Sequence, residues 1–99
     1  MSHYKRGYRV ERLAKLKLEG MGYLVIRSGG SKSVDLIAIL KKDNLKEQPI
    51  IRAIMVTLND TPSKKRKDRE YLKELPPIVS KELWLYKKGN WLIEEVGDE

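Results

Sequence analysis

A lone acid, Asp35, stands between a loop of Ser, Gly and Lys, Ser28 to Ser33, and an apolar run, Leu36-Ile-Ala-Ile-Leu40. No strand needs that acid for packing, and ionised side chains are seldom fully buried unless they are paired or hold a metal. Asp35 is therefore expected at a strand end, where a cation or a partner can meet it. Glu11 offers a second carboxylate, in the first turns of a helical pattern and next to its apolar face. Two carboxylates from different elements can converge on a divalent cation such as Mg²⁺, which prefers oxygen ligands and keeps several waters. Glu11 has a plainer role open to it as well, an ion pair with Lys15 at the four-residue spacing. In the loop, Gly29 and Gly30 permit a simple turn. Six residues exceed the two that a tight hairpin needs, however, and the serines with Lys32 suit a loop that closes over a phosphate.

The elements that must position these groups follow from periodicity. Tyr8 to Glu19 is helical in pattern, with Val10, Leu13, Ala14, Leu18 and Met21 on one face and Gly20 as its stop. Before it, Met1 to Gly7 is a basic lead-in containing Lys5 and Arg6. Strands are expected at Tyr23–Arg27, Leu36–Leu40 and Ile50–Leu58, the second apolar on both faces as befits a central strand. Asn59 to Ser63 is a break around Pro62. The run Lys64-Lys-Arg-Lys67 that follows reads equally as a solvated face or flexible loop and as a phosphate contact. A short helix over Asp68–Leu75 ends at Pro76 and Pro77, and Ile78, Val79 and Leu83 suggest a further turn docked on the sheet. Leu83–Tyr86 and Trp91–Val96 flank Lys87-Lys-Gly-Asn90, a hairpin signal. The order is α-β-β-β-α-β-β in one expected domain spanning residues 1–99, an α/β (α+β) fold on a mixed five-stranded sheet.

Composition narrows the partners. Lys and Arg number 21 against 14 Asp and Glu, a formal net charge of +7. That is the electrostatic footprint of a domain that meets phosphates, and also of a merely solubilised surface. The absence of cysteine excludes disulfides and thiolate metal sites, and one histidine, His3, argues against a His-rich zinc site. No signal peptide or membrane span is visible, so an intracellular, cytoplasmic setting is expected. The high charged fraction suits a protein from a hot environment.

The segments Lys5-Arg-Gly-Tyr-Arg-Val-Glu-Arg12 and Gly22-Tyr-Leu-Val-Ile-Arg-Ser-Gly-Gly-Ser-Lys-Ser-Val-Asp-Leu-Ile-Ala38 resemble the archaeal Holliday junction resolvases of the Hjc type. Those are small dimeric members of the PD-(D/E)XK nuclease superfamily. The resemblance implies a restriction-endonuclease-like fold and a homodimer that recognises four-way or other branched DNA. It also implies a Mg²⁺ site with Glu11 as the first-helix glutamate and Asp35 as the central metal-binding aspartate. Ser31 or Ser33 falls in the mobile loop where the family carries an active-site serine. The basic residues that would meet DNA are Lys5, Arg6, Arg9, Arg12, Arg27, Lys32, Lys64, Lys65, Arg66 and Lys67. Trp84, Tyr86, Trp91 and Ile93 are the candidate dimer contact, with some of them filling the core.

The resemblance breaks at one strand. The family carries a Glu-x-Lys signature there, supplying a third carboxylate and the catalytic lysine. This chain reads Ile54-Met-Val-Thr57, with Met55 at the acid position and Thr57 at the lysine position. Losing one preorganised stabiliser of a phosphoryl transition state commonly lowers the rate ~10²- to 10³-fold. The sequence therefore predicts a resolvase-like DNA-binding protein that cleaves poorly or not at all. The alternatives are an active Mg²⁺-dependent junction endonuclease with a rearranged site, in which Lys32 or Lys64 replaces the missing lysine, and a dimeric interaction module with no nucleic-acid role.

Overall fold

The computed structural model describes residues 3–27, 34–42, 49–58 and 61–97, with side chains from residue 9 onward. Helix α1 (His3–Gly20) leads into β1 (Tyr23–Arg27), β2 (Leu36–Leu40) and β3 (Ile51–Thr57). Helix α2 (Pro62–Lys73) then crosses to β4 (Ser80–Lys87), and β5 (Asn90–Glu95) closes the chain. The strands form one sheet in the order β1-β2-β3-β4-β5. Only β3 and β4 are parallel, because α2 connects them; every other neighbouring pair is antiparallel. The expected α+β order holds; β2 is an interior strand as expected, and β3 lies in the middle of the sheet.

Each face of the sheet carries one helix. Val10, Ala14 and Leu18, at steps of four, bury the inner stripe of α1, and the latter two pack with Tyr23, Val25, Leu36, Ala38, Ile54 and Trp84. On the other face Leu72 of α2 joins Val34, Ala53, Leu83 and Val96, with Ile37, Met55, Leu75 and Val79 at the margin. Alternation along β3 divides the two cores: Ile54 and Val56 face α1, and Ala53 and Met55 face α2.

Several expectations change in detail. Residues 3–7, read as a lead-in, already form the first turns of α1. Leu13 and Met21 are exposed, because the buried stripe runs at strict four-residue steps and leaves both to one side. The left-handed residue after α1 is Gly22 (φ 97°) rather than Gly20, with the Met21 and Gly22 N–H groups donating to the Leu18 and Glu19 carbonyls. Helix α2 starts at Pro62, so Lys64 to Lys67 lie within it and not in a loop. Pro sits at the first helical position, where its missing N–H has no intrahelical acceptor to lose. A further turn does follow α2, closed by the Val79 N–H on the Pro76 carbonyl at 3.1 Å and docked through Val79, whereas Ile78 is exposed and Leu83 belongs to β4. Lys88 (φ 53°) and Gly89 (φ 79°) make the final hairpin turn.

Trp84 is wholly buried, which removes it from the candidate dimer contact. Tyr86 and Trp91 remain half-buried against each other, ring centroids 4.8 Å apart, and Ile93 is exposed. Among the described residues no helix is long and apolar enough to cross a membrane.

Candidate functional site

The strand directions bring the ends of β1 and β3 and the start of β2 to one rim of the sheet. Arg27 pairs with Leu36, which pairs with Ile54. Asp35 directly precedes Leu36, and its Oδ2 accepts a bond from the Val56 N–H at 2.7 Å. Val56 lies between Met55 and Thr57, so these two β3 residues flank the one whose N–H holds the aspartate. Met55 packs among the apolar residues under α2 and Thr57 is buried. An acid at Met55 would have been desolvated within that cluster.

Asp35 itself is poised between burial and exposure, and its pKa is raised to about 6. Burial is the main cause, opposed by the Val56 bond; Glu11 raises it further, Lys64 lowers it and Asp68 raises it. Three charged side chains from the two helices therefore act on Asp35 at this rim. Glu11 does not pair with Lys15. Lys15 bonds Glu19 at 2.8 Å, and Glu11 Oε1 accepts from Arg27 Nη2 at 3.2 Å. The pairing differs because Glu11 lies over the end of β1, within reach of a guanidinium. Arg27 thus spends its fork on Glu11 rather than projecting free.

Lys64 and Asp68 of α2 form the remaining pair, Nζ to Oδ2 at 2.7 Å. Sequence reasoning placed Lys64 among phosphate contacts and overlooked Asp68. The signal was the stripe Lys64–Asp68–Leu72, invisible once the helix was started at Asp68. Lys65 is half-buried, while Arg66 and Lys67 are exposed along with Arg9 and Arg12 on α1. Ser31, Ser33 and Lys32 lie outside the described residues, as do the side chains of Lys5 and Arg6.

Among the described residues no three acidic, His or Cys side chains gather closely enough to enclose a metal. Among the described residues Asp35 Oδ2 is engaged by the Val56 N–H and Glu11 Oε1 by Arg27, and these two carboxylates are the oxygen donors that a Mg²⁺ ion would take.

No family model matches the chain, and no curated protein matches it in sequence. Its structure is similar to that of Archaeoglobus fulgidus Hjc, a Holliday junction resolvase from an archaeal hyperthermophile. The TM-score is 0.62 at 17% identity, over 92% of this chain and 73% of that one. At that identity the likeness is one of fold, and the chain has the resolvase's fold.

Proposed function

We propose that this chain binds branched DNA, four-way junctions above all, as a homodimer of resolvase-like fold whose cutting is severely impaired. The observation that carries the reading is the composition of the rim. Exposed cations lie on α1, which carries Glu11, and on α2, whose Lys64 acts on Asp35, while β3 offers Met55 and Thr57 where a complete nuclease centre has an acid and a lysine. Phosphate contacts by Lys and Arg give affinity without base readout, and a junction is recognised through its shape. Asp35 and Glu11 would hold a Mg²⁺ ion weakly; such an ion supplies charge neutralisation at the phosphate and a more acidic water. The chain's own residues bind the backbone and orient it at the rim.

Gel-shift titration with a four-way junction tests this reading. Binding is expected at ~50 mM salt, where counterion release favours a basic protein, with affinity falling steeply as salt rises. Replacing Lys64, Lys65, Arg66 and Lys67 by Gln is expected to flatten that dependence; an unchanged slope excludes α2 from the contact. Absence of junction binding at low salt would leave a dimer or partner module with no nucleic-acid role. For the dimer, the exposed side of β5 around Ile93, with Tyr86 and Trp91, is the proposed contact. Sedimentation as a stable monomer at micromolar concentration would remove that part of the reading.

A further inference from the structure

The two faces of the sheet are unequally covered. Helix α1 lies across β1, β2 and β3, whereas α2 rests on β3 and β4. A helix is ~10 Å across and neighbouring strands lie ~4.8 Å apart, so one helix shields about two strands. On the α2 side β1 and β2 therefore stay uncovered, and among the described residues no other helix lies there. What they present is aliphatic throughout. Leu24 stands opposite Ile39 and Ile26 opposite Ile37, and Ile39 in turn meets Ile51 of β3. Leu24, Ile26 and Ile39 are 53%, 48% and 37% exposed, although Val25, Leu36 and Ala38 between them are buried under α1. Single exposed apolar residues are ordinary on a surface, but a contiguous patch of them marks a contact. These side chains offer a phosphate no donor.

The wall of this ledge is the flank of α2 turned away from β5. Arg69 bonds Glu94 of β5, which fixes one flank toward that strand. Lys64, Lys67, Tyr71 and Leu75, at three- and four-residue steps, lie on the other. Leu75 packs with Ile37 at the margin of the core under α2, and Tyr71 is exposed. Lys41 and Lys42, both exposed, follow β2 at the far end of the ledge. A second copy laid face to face here would bring two sets of these lysines together. Helix α1 of another copy is no better suited, since Arg12, Lys15 and Lys17 stand beside its exposed Leu13 and Leu16. We propose that the ledge docks an acidic amphipathic helix of a partner protein. That helix lies beside α2, with its apolar face on Leu24, Ile26 and Ile39 and its carboxylates toward Lys41, Lys42 and Lys67. The five residues of β1 span ~17 Å, the length of ~11 helical residues. The proposal does not rest on the DNA-binding reading: the floor selects against a phosphate backbone, and the cations select the sign of the helix.

The test uses the intact protein and a fluorescent synthetic peptide of about 18 residues, with Leu on one helical face and Glu on the other. Affinity is read by anisotropy and the site is located by amide chemical shifts. The peptide is expected to bind with micromolar affinity and to shift the amides of β1, β2 and the Lys67 and Tyr71 flank of α2. Leu24→Ser combined with Ile39→Ser should weaken binding at least ~10-fold with the melting temperature held, because both side chains are exposed. The same double variant should bind a four-way junction as the wild type does. Lys41→Glu combined with Lys67→Glu should also weaken the acidic peptide and favour a matching peptide with Lys in place of Glu, a reversal that misfolding does not produce. A scrambled peptide of the same composition should bind ~10-fold less tightly or worse. No saturable binding of the acidic peptide up to millimolar concentration overturns the proposal, as do shifts confined to other faces. Loss of wild-type self-association in the double Ser variant overturns it by making the ledge a contact between copies. Loss of junction affinity in that variant overturns it by giving the ledge to DNA.

Discussion

On the α1 side of the sheet Arg52 and Glu82 close on each other through two bonds of 2.7 Å, and Glu82 also accepts from Ser80 Oγ at 2.9 Å and Trp84 Nε1 at 2.8 Å. The Arg52 guanidinium lies 5.2 Å from the Tyr23 ring centroid and 5.9 Å from that of Trp84. At the rim, by contrast, Asp35 has a single hydrogen bond from the described backbone, three charged neighbours of both signs, and a raised pKa. Both regions put charge against the same five strands. The first satisfies its charges internally and joins β3 to β4; the second keeps charge that a phosphate or cation can complete. A buried charge that is fully paired supports structure, and one that is half-satisfied at an edge is available for binding.

The sharpest way to break this contrast is to open the closed pair. Arg52→Met should destabilise the fold by roughly 3–5 kcal/mol, because Glu82 is left charged and buried without its partner. Urea denaturation measures it, and a loss under 1 kcal/mol would mean the pair is not what ties β3 to β4. At the rim the sign reverses. The folded pKa of Asp35 lies above its unfolded value of 3.8, so its contribution is fully present below that value and is lost as pH rises through about 6. Asp35→Asn keeps an acceptor for the Val56 N–H and removes the charge. It should therefore stabilise the fold by roughly 1–3 kcal/mol at pH 8, with the gain shrinking toward pH 4. Equal effects at both pH values would show that charge is not the reason. The smallest effect belongs to Arg69–Glu94, a bidentate pair at 2.5 and 2.8 Å between α2 and β5. Being solvent-exposed, it should contribute less than about 1 kcal/mol, and Glu94→Gln checks this.

The order of elements and the strand cores were legible in the sequence because periodicity is a local property. Arg52 was visible as the only cation in its strand, but its partner lies thirty residues away on a parallel neighbour. The sequence offers no local mark for that register. Pro62 was taken as a breaker although it opens α2, and that one choice concealed Asp68 and left Lys64 to Lys67 without a helix.

Residue types and spacing by themselves determined that an acid preceded an apolar strand, that a second acid stood beside the apolar stripe of a basic helix, and that β3 carried no Glu-x-Lys. Tertiary structure decided which charges meet. It turned Arg27 onto Glu11, set the Val56 N–H against Asp35, and brought Lys64 and Asp68 to the same rim. The reason is that α2 must cross over to make β4 parallel to β3, which starts the helix at the carboxyl end of the central strand, beside Asp35.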